Sequence, residues 1–433
     1  MRRIIKLFII STAMGLCSIV ALGQEKTIEV LNHPDESSII RAVDTREWLV
    51  CNNTYGWSVF SMIDEALPTT QQIHLGNVGS SDKIRIYDFE VFNDTVYFCG
   101  SVWFGDNQKA VWGYFPLTGF PSVNVRYIIR NMQNLTKLDV FSIDPTMNEI
   151  HVVMVGQQAP KHGIMVDEVR TGPGLFVEYT GELSDVVAED FTDVAVTEKY
   201  VVTSLKKYDL ELQGGQVLFI RKPTSLHTTV FSNTAQTYTI SGKLSIDGLL
   251  EHCKNDSVAF AYKGFQGYLN VHTFNGPSPR EHLKVVGLHD YALADIKFDR
   301  TNEDLDILVR PALELSRPLD TSIILHLNHS LAAYGGPLFC HKYYNETLNS
   351  LEWIPWENKR FVASGHDQTS SQLRVYKYQY DYWGICTQQR ILQSEKLETK
   401  KNNFKDLQYS SCEIELQETS VSEKAMSLST ICE

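Results

Sequence analysis

A repeat of about fifty residues constrains this chain more than any other feature. Seven short apolar runs, Trp48 to Cys51, Val96 to Cys99, Ile150 to Val155, Tyr200 to Thr203, Val258 to Tyr262, Leu305 to Val309 and Arg360 to Ala363, recur at steps of 48 to 58 residues between residues 37 and 392. Most copies have a short companion run before them, as at Phe89 to Phe92, Val140 to Ile143, Val194 to Thr197 and Ile296 to Asp299. Tight polar turns such as Asn93-Asp94 and Asn255-Asp256 make the connection. A third run follows each copy, from Trp57 to Met62 in the first to Leu373 to Tyr378 in the seventh. A fourth follows that, from Gln71 to Leu75 in the first, with His227 to Phe231 expected in the fourth copy and Thr387 to Leu392 in the seventh. No long segment of helical period competes, so the pattern predicts an all-β protein.

Four strands in each of seven copies predict a seven-bladed β-propeller of four-stranded antiparallel blades. A four-stranded sheet exposes two apolar faces that it cannot cover alone, and radial stacking buries each face against the next blade while leaving only short edges. Two sandwich domains or a partly open array are the competing architectures, and neither requires such regular spacing. The domain reading is a leader at 1–23, a closing segment at 24–36, the propeller at 37–392 and a polar tail at 393–433. Within the closing segment, Lys26 to Asn32 form one more strand-like run that would add to the last blade. The tail, with Lys396, Lys400, Lys401 and Lys405 among Glu and Ser, suggests a peripheral segment with one strand at Glu413 to Leu416.

The repeated starts Asp88-Phe89, Asp139-Val140, Asp193-Val194 and Asp295-Ile296, with runs such as Asn93-Asp94-Thr95-Val96-Tyr97-Phe98-Cys99-Gly100, resemble those of secreted bacterial seven-bladed β-propeller proteins. The resemblance covers roughly residues 35 to 392 and implies an architecture without naming an activity. Signatures of better-known propellers are missing: there is no Gly-His…Trp-Asp pair per copy, no kelch double glycine and no Ser-x-Asp-x-Gly-x-Thr-Trp box.

The first residues predict export. Arg2, Arg3 and Lys6 precede a mostly apolar run from Leu7 to Leu22, and Ala21-Leu22-Gly23 places small residues before a cut at Gly23/Gln24. Lipidation at Cys17 is the alternative, although Leu16 stands where a lipobox has a small residue. No later stretch is apolar enough to span a membrane. The expected location is the periplasm, the cell surface or the medium. Seven cysteines follow Cys17, too few for a disulfide scaffold and without zinc spacing. Cys51 and Cys99, inside apolar runs, read as buried thiols, while Cys386, Cys412 and Cys432 read as the disulfide formers. With 39 Lys and Arg against 52 Asp and Glu, and no basic cluster, the chain is unsuited to nucleic acid.

The sharpest candidate site is a recurring acid. Asp88, Asp139, Asp193, Asp247 and Asp295 precede the first strand of copies two to six, and Glu352 takes the matching place in copy seven. In a propeller that strand lines the axis, so the carboxylates would gather on one face. They could bind Ca²⁺ or a cationic ligand through oxygen ligands. Alternatively, each acid accepts loop N–H groups and fixes the turn into its blade. Recurrence in nearly every copy favours the structural reading, and no other cofactor is implied. Loops between second and third strands emerge on the same side, which assigns Trp103, Phe104, His162, Arg310 and His366 to the acid-bearing face. No nucleophile elbow, metalloprotease helix or phosphate-binding loop is present. The sequence therefore suggests a monomeric, non-catalytic exported module that binds a protein or glycan. A polysaccharide hydrolase or lyase working through axial carboxylates, and a structural subunit of an envelope assembly, are the alternatives.

Overall fold

A computed structural model describes most of residues 24–379 apart from inter-strand connections, the longest being 329–338, and, further on, residues 400–402, 407–420 and 422–432. The chain is a seven-bladed β-propeller. Strand β1 (Gln24–Pro34) comes first, followed by blade 1, built from β2 (Ser37–Ala42), β3 (Glu47–Thr54), β4 (Trp57–Asp64) and β5 (Thr69–His74). Blade 2 comprises β6 (Lys83–Phe92), β7 (Thr95–Phe104), β8 (Asn107–Pro116) and β9 (Asn124–Arg130). Blade 3 comprises β10 (Asn134–Ser142), β11 (Ile150–Ala159), β12 (His162–Gly172) and β13 (Leu175–Leu183). Blade 4 comprises β14 (Glu189–Val196), β15 (Tyr200–Lys207), β16 (Gly214–Arg221) and β17 (Ala235–Ser241). Blade 5 comprises β18 (Gly248–His252), β19 (Ser257–Lys263), β20 (Leu269–Asn275) and β21 (Ser278–Val285). Blade 6 comprises β22 (Tyr291–Asp299), β23 (Asp304–Pro311), β24 (Thr321–Asn328) and β25 (Phe339–Tyr344). Blade 7 contains β26 (Glu346–Trp353), β27 (Arg360–Asp367) and β28 (Gln372–Gln379), and its fourth strand is β1, antiparallel to β28.

The apolar core divides the same way. Buried hydrophobic side chains form seven clusters, and each lies between two neighbouring blades. Consecutive residues of a second strand serve different clusters, because side chains alternate across a sheet. Phe98 packs toward blade 1 and Cys99 toward blade 3. Val50 packs toward blade 7 and Cys51 toward blade 2. These strands therefore read as unbroken apolar runs, as in any sheet covered on both faces. Cys51, Cys99 and Cys253 are buried, whereas Cys386 and the side chains of Cys412 and Cys432 lie outside the described residues. Ile28 of β1 joins the cluster between blades 7 and 1, so the N-terminal strand closes the ring through core packing as well as pairing.

One strand assignment differs from the sequence reading. In blade 4 the run His227 to Phe231 is not the fourth strand; Val230–Ser232 form a single 3₁₀ turn and β17 follows it. The cause is local: Asp167 of blade 3 accepts bonds from Thr229 Oγ1 (2.8 Å) and the Val230 N–H (3.0 Å), and His227 takes a positive φ of 59°. Thr387 to Leu392, expected in blade 7, lies outside the described residues.

Residues 400–432 hold four strands where the sequence suggested one. β29 (Lys400–Asn402) pairs with β17, β30 (Leu407–Glu415) with β13, and β31 (Gln417–Ser420) with β9. β32 (Ser422–Cys432) lies between β5 and β1. The tail thus runs along the rim from blade 4 back to blade 1 and adds a fifth strand to each of these blades. Its last strand joins the outer edges of blades 1 and 7.

Candidate functional site: the axial cavity

Each blade points its innermost strand at the axis, and alternation sends every second side chain of that strand inward. One tier consists of Ile39, Asp88, Lys137, Asp193, Leu249, Asp295 and Ser350. Two residues further along each strand lies the second tier, Arg41, Glu90, Asp139, Ala195, Glu251, Lys297 and Glu352. Both tiers line a partly open axial cavity of about 690 Å³. Asp88, Asp139, Asp193, Asp295 and Glu352 are all brought together here. They stand inside the innermost strands rather than before them. A β-bulge precedes the first-tier residue in blades 2, 3, 4, 6 and 7, for example between Ile86 and Asp88 and between Leu293 and Asp295. Asp247 lies outside the described residues, and Glu251 is the axial acid of blade 5.

The carboxylates follow one bonding rule. An acid accepts the N–H of the residue that follows its own tier in the next blade. Asp88 accepts Leu138 N–H (3.2 Å), Asp139 accepts Val196 N–H (2.6 Å) and Asp193 accepts Leu250 N–H (2.8 Å). Glu251 accepts Phe298 N–H (3.2 Å) and Asp295 accepts Leu351 N–H (2.8 Å). Ser350 Oγ plays the same part for Ile40 N–H (3.4 Å), joining blade 7 to blade 1. Between blades 1 and 2 an ion pair replaces the bond: Arg41 donates to Asp88 Oδ1 (3.1 Å) and, through Nε, to Glu90 Oε1 (2.9 Å). All seven blade boundaries are therefore stapled at the axis. Asp139, Asp193 and Asp295 use their second oxygen on the N–H of Val140, Val194 and Ile296 in their own strands. These bonds join blade to blade instead of fixing the turn into each acid's own blade.

Electrostatics follow from this crowding. Burial pushes Asp139 up to about 7, with repulsion from Glu90 adding and the Val140 and Val196 N–H groups opposing. Burial likewise raises Asp193 to about 6 against the pull of Lys137, and Glu251 to about 8 against that of Lys297. Glu352 is raised by burial, with Lys297 and Arg41 opposing. Burial works against charge on Lys137, Lys297 and Arg41, yet the surrounding carboxylates win and hold all three protonated. Among the described residues no group of three or more His, Cys, Asp or Glu is arranged to hold a metal ion.

The loop candidates separate. Arg310, at the end of β23, lines the cavity and donates to Asn349, whose Nδ2 donates to Ser38 Oγ (3.2 Å). Trp103 and Phe104, His162 and His366 do not line it. Phe104 packs against the core between blades 1 and 2, His162 is exposed at the start of β12, and His366 is half-buried near the end of β27. Sequence reasoning missed Arg41, Glu90, Lys137, Glu251 and Lys297. The signal was the spacing of two along a strand, visible in Asp88/Glu90, Lys137/Asp139 and Asp295/Lys297.

No protein-family model and no curated protein matches the sequence. Among solved structures, the fold is similar to the WD40 domain of coronin from Toxoplasma gondii, at 8% identity over 84% of this chain and 89% of that one, with a TM-score of 0.43. It is similar to the intramolecular trans-sialidase from Ruminococcus gnavus at 8% identity over 81% and 95% of the chains, with a TM-score of 0.41. An uncharacterised protein from Listeria monocytogenes aligns at 9% identity over 83% and 97%, with a TM-score of 0.37. The architecture assigned here rests on strand order and core packing.

Proposed function

We propose that the chain is an exported, non-catalytic interaction module that binds a protein or glycan at the acid-bearing end of its axial cavity. The observation that carries this reading is the bonding of the axial carboxylates: Asp139, Asp193 and Asp295 have both oxygens engaged by main-chain N–H groups. A carboxylate so held is part of the scaffold and is poorly placed to pass a proton to a substrate. What remains for a ligand is a rigid, polar mouth on a closed ring, the usual arrangement of a binding face on a stable frame. The leader at residues 1–23 supports export, and the reading invokes no cofactor.

One observation favours the hydrolase alternative. Raised carboxyl groups around one cavity, Glu251 at about 8 above all, are what a general acid looks like. The two readings part in one experiment. The chain from Gln24 onward is applied to glycan and peptide arrays, and each ligand bound is then incubated with it and checked for new reducing ends or unsaturated products. Saturable binding without turnover is the expected result. Product formation lost in Glu251→Gln would establish the enzyme instead.

A further inference from the structure

A second cavity, of about 340 Å³, lies between blades 5 and 6, at the opposite end of the ring from the loops between second and third strands. Its origin is in β19. Alternation turns Val258, Phe260 and Tyr262 toward blade 4, and Ser257, Ala259 and Ala261 toward blade 6. The equivalent face of β11 in blade 3 carries Val153 and Val155. Side chains as small as serine and alanine leave the gap at this end of the blade interface unfilled. Cys253 of blade 5 with Phe298 and Leu305 of blade 6, all buried, form an apolar floor. Ser257, Thr273 and Asn275 give the wall its polar groups.

The mouth is basic. Lys254 stands in the turn between β18 and β19, and Arg280 reaches the cavity from β21. A β-bulge brings it there: Thr273 pairs with Glu281 and Phe274 with Pro279, which leaves Arg280 as the extra residue of the outer strand. A bulge bends its strand and re-aims a side chain. Among the described residues, no hydrogen bond or ion pair engages the Arg280 guanidinium, and no Asp or Glu lines the cavity. Asp299 and Asp304, next in sequence to Phe298 and Leu305, alternate to the other face of blade 6. The Asp256 carboxylate is taken up by Lys199 Nζ of blade 4 (2.8 Å). In charge this cavity is the reverse of the axial one.

We propose that this cavity binds a small monocarboxylate with an aromatic or aliphatic body, the carboxylate at Arg280 and the body on Cys253, Phe298 and Leu305. The inference goes beyond the binding-module reading, because it concerns a different cavity at the other end of the ring. A guanidinium presents a planar fork of N–H donors that matches the two oxygens of a carboxylate. The hydroxyls of Ser257 and Thr273, which make no side-chain hydrogen bond among the described residues, stand ready to donate to the same oxygens. An apolar floor with one unpaired cation at its mouth selects a ligand with one anionic end and one apolar end. A neutral apolar ligand gains nothing from the guanidinium, and a cationic one is repelled by Arg280 and Lys254. A phosphate brings up to two charges and a larger hydration shell against one unpaired cation. The chain as a whole carries a net charge of −13, so diffuse attraction does not gather anions and the local pair of cations must.

The test uses the chain from Gln24 onward and titration calorimetry with phenylacetate, isocaproate and octanoate, each beside its primary amide, and with phenyl phosphate as a further arm. The expected result is saturable binding of at least one carboxylate, with its amide weaker by roughly tenfold or more. Arg280→Gln should bring the carboxylate down to the affinity of the amide, and Arg280→Lys should keep part of the difference. Ser257→Leu, which fills the cavity from its wall, should weaken acid and amide alike. The thermal midpoint of Arg280→Gln should match wild type, because the side chain is exposed and makes no bond to the described residues. Equal affinity for acid and amide, tighter binding of phenyl phosphate, or carboxylate binding unchanged in Arg280→Gln overturns the assignment. So does failure of every carboxylate to bind, and none of these outcomes touches the array result expected for the axial cavity.

Discussion

Glu251 illustrates the chemistry of the axis at the scale of one residue. An ordinary glutamate titrates near 4.3, whereas burial holds this one at about 8. The folded chain therefore keeps a proton on Glu251 where the unfolded chain has lost it. A raised pKa contributes stability that is complete below about pH 4 and is lost as pH climbs toward 8. Asp139 and Asp193, at about 7 and about 6, act in the same sense. Thermal midpoints should accordingly fall between pH 5 and pH 8.5. Glu251→Gln, a neutral isostere that can still accept the Phe298 N–H, should match wild type near pH 4 and exceed it by a margin that grows by roughly 1.4 kcal/mol per pH unit up to about pH 8. Urea midpoints across that range check this, and a variant that is less stable at pH 9 would refute it. At this scale the sequence showed which acids recur but not their use, because their partners lie 50 to 57 residues away in the next blade. Asp88 and Leu138 carry no local sign that they will meet.

At the scale of the element, the inner-strand bulge is the repeated device. It places two residues opposite one and increases the local twist, bringing the strand's carbonyls against the second strand. Gly156 stands at such a contact in blade 3, where a Cβ would lie 2.1 Å from Asn134 O, and Gly100 in blade 2, where it would lie 2.0 Å from Arg85 O. Both obstacles are backbone, which cannot swing aside. Gly156→Ala should therefore cost about 1–3 kcal/mol, the range for overpacking, seen as a lower urea midpoint with an unchanged slope. A neutral effect would mean that the bulge can relax. Second strands were legible in the sequence because burial on both faces leaves an unbroken apolar run, as in Tyr97-Phe98-Cys99. The turns were legible too: Asn93 and Asp94 take φ of 48° and 54°, and Asn255 takes 54°, as asparagine and aspartate in a tight hairpin permit. The fourth strand of blade 4 was not. Val230 and Phe231 are apolar because they plug the gap between blades 3 and 4, and local pattern cannot separate a plug from a strand.

A ring of blades must solve a problem no single blade poses, that of joining its two ends. Here both termini contribute: β1 completes blade 7, and β32 pairs with β1 on one side and β5 on the other. The preceding strands β29 to β31 cover the outer edges of blades 4, 3 and 2. This rim was the least legible part of the sequence. A strand added to a sheet edge is held by main-chain N–H and C=O groups, which every residue supplies, so Lys, Ser and Glu serve there as well as apolar residues. Its function predicts the result of deletion. A chain ending at residue 399 keeps the buried side chains of all seven core clusters, losing only Leu416 from beside the one between blades 2 and 3, but leaves β5, β9, β13 and β17 unpaired at their outer edges and β1 held on one side alone. It should retain its far-ultraviolet spectrum, melt roughly 5 °C or more lower, and form concentration-dependent aggregates on size-exclusion chromatography, since open edges recruit other strands. A synthetic peptide spanning residues 400–432, added in trans, should restore the midpoint and the monomeric elution. A truncated chain that melts like the full one and stays monodisperse would mean that core packing and the axial staples close the ring unaided.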